Sequence, residues 1–178
     1  MTRAVEASAE YRAIAAHYGE RVARRSGVRL MQHIDEGLVI LRALGADDVT
    51  QRAWCLHPLA QTPAMLDDAC AALDDASDDG EVRALALAYR RTANAALSTR
   101  PLASAAEIAL PGDRAIAQLL IADKVQNRKD FLRHHRATHP RGDELDRYFR
   151  LWLERLGIDE AGFARWCALL DRGDLGAS

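Results

Sequence analysis

The chain has 178 residues, 49% apolar and 28% charged, which is enough apolar material to bury a core and too much for a disordered chain. A formal net charge of -2 gives no whole-chain attraction for nucleic acid or an anionic membrane, so neither is expected as a partner. Cys55, Cys70 and Cys167 are too widely spaced for a disulfide framework or a thiolate zinc site, and each reads as a small core residue.

The first 25 residues carry charge throughout and lack the apolar stretch of a signal peptide, and no apolar run has the length of a membrane span. A cytoplasmic location is the expectation. In chain order, Val5, Ala9, Ala13, Ala16 and Val22 stripe a first helix that Ser26-Gly27 breaks. Leu30, Ile34, Leu38, Leu41 and Leu44 stripe a second, stopped by Gly45. Asp47 or Asp48 caps a third, running from Val49 to about Leu56. Pro58 should end it there, because proline disfavours helical geometry at His57 and collides with the carbonyl of Trp54. His57 is therefore predicted at a helix terminus.

A fourth helix is expected from Pro63 to Ala76, ending in the acidic turn Ser77-Asp78-Asp79-Gly80, and a fifth from Glu81 to about Leu97. The longest loop, Ser98 to Gly112, carries Pro101 and Pro111. A long sixth helix from Asp113 to His135 follows, then a turn from Thr138 to Gly142. Helices over Asp143 to Leu156 and Asp159 to Leu170 close the series. Alternating strand patterns are lacking, so the predicted fold class is all-α, one helical bundle over residues 1–178 with extra C-terminal helices.

The sequence has no glycine-rich phosphate loop, no Gly-x-Ser-x-Gly elbow and no His-Glu-x-x-His. What remains are separated polar residues on apolar helices. His33 sits among Leu30, Ile34 and Gly37, and His57 follows Ala53-Trp54-Cys55-Leu56. Each is either a hydrogen-bonded core histidine or a ligand. Asp123 ends the run Leu119-Leu120-Ile121-Ala122, where a carboxylate is costly unless paired or metal-bound. Lys124 is poorly placed to pair with it and Arg128 lies at i+5. Arg133, His134, His135, Arg136, His139 and Arg141 form a basic cluster that reads as a solvated helix end. Adjacent histidines point ~100° apart on a helix, so His134 and His135 do not share one metal. Met31, Met65, Trp54, Trp152 and Trp166 fall at core spacing.

Three segments together resemble the HD-superfamily hydrolase domain of RelA/SpoT-type guanosine tetraphosphate enzymes. Arg24-Arg25-Ser26-Gly27 with Leu30-Met31-Gln32-His33 is similar to its opening. Leu41 to Asp47 and Leu56-His57 are similar to its second helix and His-Asp motif. Leu120-Ile121-Ala122-Asp123-Lys124-Val125-Gln126-Asn127-Arg128 resembles its Leu-Ala-Asp-Arg-Leu-x-Asn-x-Arg element. The matches keep their order over residues 20 to 135 and leave the C-terminal helices unmatched; that helical pair can supply a homodimer seam. The resemblance implies His33, His57 and Asp123 as ligands of one divalent metal, and two imidazoles with one carboxylate suit manganese, iron or zinc. It also implies that Arg24, Arg25, Lys124, Asn127 and Arg128 hold a small anionic ligand, with Lys124 in place of the family's arginine. For Arg24 and Arg25 a solvated helix end stays equally open.

Two departures bear on activity. The aspartate of the His-Asp pair is Pro58, and the catalytic Glu-Asp pair is absent from Ala60-Gln61-Thr62. Leu56-His57-Pro58-Leu59-Ala60 resembles the hydrolase-dead copy of the domain in long RelA-type synthetases. The expectation is a divergent HD-like domain that binds an anionic small molecule, phosphorylated or not, in a His33/His57/Asp123 pocket without standard hydrolysis. The alternative is a metal-dependent phosphohydrolase or non-haem iron enzyme built on the same three ligands.

Overall fold

The computed structural model describes residues 5–24, 26–61, 66–96, 101–110 and 112–172. The helical periodicity becomes eight α-helices, with no strand among the described residues. They are α1 (Ala9–Tyr18), α2 (Met31–Ala43), α3 (Asp48–Gln61), α4 (Leu66–Ala76), α5 (Gly80–Ala95), α6 (Arg114–His134), α7 (Gly142–Arg155) and α8 (Glu160–Asp171). The acids that punctuate the sequence do the capping. The side chains of Asp47, Asp79, Asp113 and Asp159 accept the first N–H groups of α3, α5, α6 and α8, so donors with no helical partner are satisfied. Gly45, after α2, takes a positive φ of 66°, open to glycine at no steric cost. The expected starts and elements at Pro63, Met65, Ser98 and Pro111 lie outside the described residues.

Two boundaries differ from expectation. The first helix stops at Tyr18 with Gly19 at φ 52°, short of Val22. Val22 instead forms a single antiparallel bridge with Arg29 and is half exposed. Helix α3 continues through Pro58 to Gln61, so His57 is within the helix and not at its terminus. Tertiary burial overrides the local rule here: every residue from Ala53 to Ala60 is buried.

Helix α3 is the centre of the packing, with α5 as its largest neighbour and α1, α4, α2 and α6 around it. Helix α6 packs against α2, α5, α7 and α8. Trp54, Leu56, Ile34, Leu38, Leu41, Tyr89, Leu119 and Leu120 form the core where these helices meet. Trp152 and Phe163 extend it under α7 and α8, so the C-terminal helices belong to the same packed body. Cys55 is buried as expected, whereas Cys70 and Cys167 are only half-buried. No described helix is long and apolar enough to cross a membrane.

An ionic cluster ties α1 to the start of α5. Buried Glu10 accepts from Arg52 Nη2 at 2.8 Å and from the Ser77 hydroxyl, and Arg52 Nη1 reaches Asp79 at 2.9 Å. Burial pushes the Glu10 carboxyl up, but the hydrogen bonds from Arg52 and Ser77 outweigh it and hold the pKa down at about 2. A folded-state pKa below the unfolded value gives stability that is complete above about pH 4.3 and lost as pH falls towards about 2. The urea midpoint should therefore drop across that window in the wild type. Glu10→Gln should be less stable at neutral pH and should flatten the drop, measured by denaturation at stepped pH; an unchanged acid limb would sever Glu10 from it.

Candidate metal centre

Helices α2, α3 and α6 each contribute one side chain to a single point. His33 lies in the first turn of α2, His57 on the inner face of α3, and Asp123 midway along α6. One ligand atom from each lies within 4.8 Å of the other two. His57 and Asp123 are buried and His33 is half-buried.

The hydrogen bonds behind the imidazoles decide their tautomers. His33 Nδ1 is 2.6 Å from Gln126 Oε1. The Gln126 amide is itself oriented, because its Nε2 donates to Asp130 at 2.7 Å and to Glu36 at 3.3 Å. Its oxygen must then face His33, which donates from Nδ1. His57 Nδ1 lies 2.6 Å from the Trp54 carbonyl, an acceptor without a hydrogen, so it too carries the proton at Nδ1. The two Nε2 atoms, 3.1 Å apart, thus turn lone pairs towards each other in the neutral rings. With a metal–nitrogen bond of ~2.0–2.1 Å, the edge between two ligands is ~2.9 Å for an octahedral ion and ~3.3 Å for a tetrahedral one. The observed separation falls between them. Burial above all holds the His57 pKa down at about 3, so this ring is neutral at physiological pH.

Asp123 is held by its neighbours and kept ionised. Asn127 Nδ2 donates to Oδ1 at 2.6 Å, Lys124 Nζ to Oδ2 at 2.7 Å, and the Tyr89 hydroxyl also bonds to it. A carboxylate offers about four lone-pair positions, more than these donors occupy. Burial raises the Asp123 pKa, and the adjoining positive charge, Lys124 foremost, more than reverses it. Lys124 thus pairs directly with Asp123, contrary to its expected poor placement, because its stem folds back over Trp152, with Nζ 5.0 Å from the ring centroid.

The triad opens on a cleft of about 510 Å³ whose walls include Arg29, Gln61, Asn127, Asp130, Phe131 and His139. Of the residues implied for the anion, Asn127 lines this cleft. Lys124 and Arg128 do not; Arg128 bonds to Asp146 at 3.2 Å and Glu160 at 2.9 Å on another face. Arg24 is exposed and outside the cleft, and Arg25 lies outside the described residues. His135 and His139 line the far end, so part of the basic cluster faces the cleft as well as solvent.

Sequence reasoning missed the support behind His33. Lys129, almost wholly buried, donates to both Glu36 oxygens at 2.6 Å and to Asp130 at 3.0 Å, and Glu36 and Asp130 orient Gln126. The available signal was spacing: Glu36 is at i+3 from His33, and Gln126 at i+3 from Asp123, on the same helix faces.

Trp54 braces the site from the side of α2. Its ring stacks on His57 with centroids 4.0 Å apart, and its Nε1 donates to the Ile34 carbonyl at 3.0 Å. This close approach needs Gly37, where a Cβ would sit 2.1 Å from Trp54 Cζ2. Gly37→Ala should destabilise the fold by about 1–3 kcal/mol and shift tryptophan emission, read by denaturation and fluorescence; an unchanged spectrum would mean Trp54 does not close on α2. Comparison with known protein families, curated proteins and solved structures finds no match to this chain.

Proposed function

We propose that this chain is a divergent HD-type helical domain that holds one divalent cation, manganese, iron or zinc, on His33, His57 and Asp123. In the adjoining cleft it takes a small, phosphorylated anion. The observation that carries the reading is the pair of Nε2 atoms 3.1 Å apart, each with its proton committed to the opposite side of its ring. Two facing lone pairs repel unless a cation lies between them. A carboxylate on the same point completes a donor set that fits such a cation.

Charge supports the anionic ligand. Lys124 neutralises Asp123 and an imidazole ligates in its neutral form, so a bound divalent ion brings a net positive charge to the cleft end of the site. The cation then does the work that Lys124 and Arg128, spent on carboxylates, do not. Pro58 removes the fourth ligand of the HD pattern, and Gln61 stands in the stretch where the acid pair is missing. Standard hydrolysis of guanosine tetraphosphate is therefore not the proposed activity.

A hydrolase reading has one observation in its favour. Asp130 lines the same cleft two helical turns from Asp123, although its oxygens already accept from Gln126 and Lys129. Metal analysis and calorimetry with manganese and zinc, on protein without a histidine tag, test the proposal. One ion per chain is expected, with affinity falling at least about 100-fold in Asp123→Asn and His33→Ala. No pyrophosphate release from guanosine tetraphosphate is expected with manganese. Wild-type protein that takes up no ion refutes the metal site; brisk manganese-dependent release that vanishes in Asp123→Asn makes the chain a hydrolase.

A further inference from the structure

We infer that Pro58 is a positioning residue: it creates the acceptor that fixes the tautomer and direction of His57. In an α-helix the carbonyl of residue i-4 accepts the N–H of residue i, so the partner of Trp54 O would be the N–H of residue 58. Proline has none, and its ring crowds that same carbonyl. The carbonyl is buried in the interior of α3, where water does not replace the missing donor. His57 Nδ1 fills the vacancy at 2.6 Å. With that proton committed, Nε2 is left unprotonated and faces His33 Nε2 at 3.1 Å.

The bond also sets where the ring lies. Trp54 stacks on one side of His57 and Tyr89 meets it edge-on, with centroids 4.0 and 5.4 Å away. Those contacts confine the plane of the ring but leave open which edge of it, the one with Nε2 or the one with Cε1, points at the triad. The Trp54 carbonyl makes that choice. The residue that deletes the fourth ligand of an HD site therefore also locks one of the three ligands that remain.

The inference rests on the metal reading for its consequence, but the tautomer is measurable without metal. Nitrogen chemical shifts of His57 in metal-free protein at pH 8 should show Nδ1 protonated and Nε2 bare in the wild type. Pro58→Ala restores the N–H, which competes for Trp54 O; His57 should then show shifts averaged between tautomers. Its affinity for manganese or zinc should fall about 10- to 100-fold. Its thermal midpoint should be equal or higher, because alanine is the better helix former. A loss of affinity alongside gained stability is what a merely structural proline would not give.

Wild-type His57 protonated at Nε2, or Pro58→Ala with the same tautomer and affinity, overturns the inference. If wild-type protein binds no ion while Pro58→Ala releases the tautomer, the inference stands and the metal site falls. If ions bind equally to both proteins, the metal site stands and the inference falls.

Discussion

Two imidazole nitrogens at 3.1 Å, in rings whose neutral forms each commit their one proton to an acceptor on the far side, form the constraint on which the rest of the site depends. Neutral histidines usually relieve such an approach by letting one ring donate to the other. Here neither ring is free to do so. His33 is committed to Gln126, and Gln126 is committed to Glu36 and Asp130, which Lys129 holds in turn. His57 is committed to the main chain of its own helix. Changing either tautomer would strand a buried donor or acceptor, at a cost of about 1–3 kcal/mol. The arrangement is therefore held from outside and presents its lone pairs inward.

Helix α6 explains why the cationic side chains near this centre are not available to a ligand. Lys124, Arg128 and Lys129 are all buried, which for such residues demands partners. Lys124 meets Asp123, Arg128 meets Asp146 and Glu160, and Lys129 meets Glu36 and Asp130. Three charges that look on the sequence like a basic face are three internal ties: to the triad, to α7 and α8, and to α2. The same ties give α7 and α8 their place, since the Arg128 guanidinium also lies 4.3 Å from the Phe163 ring centroid.

Much of the fold was legible because it is punctuated locally. Asp47, Asp113 and Asp159 act within three residues of themselves, and Gly45 needs only its own positive φ. The convergence of His33, His57 and Asp123 was legible as a pattern of polar residues at the edges of apolar runs. The partners were not. Gln126 is 93 residues from His33, and Lys129 is 93 from Glu36, so no window of sequence contains both members of either pair. Lys124 was misjudged for a different reason: its long stem lets the ammonium return to the preceding residue once Trp152 and Tyr148 give it an aromatic surface.

Pro58 shows how the same residue carries opposite meanings at two levels. Locally it is a helix breaker, and the periodicity argument ended α3 before it. In the folded chain the helix continues, because the apolar segment Ala53 to Ala60 is covered by α1, α2 and α5 and gains more from burial than it loses in one backbone bond. The carbonyl left over is not a defect, since the side chain of the preceding residue satisfies it. A helix carbonyl whose ladder bond is intact has one lone pair left for a side chain, as Ala88 gives Thr92 in α5, whereas a carbonyl free of the ladder takes the side chain as its full partner. Breaking the ladder at one point is how a ligand one residue away obtains one. The bond then belongs to the backbone of α3, which moves only as the core moves, so the direction of His57 Nε2 is tied to a helix buried along its whole run from Ala53 to Ala60.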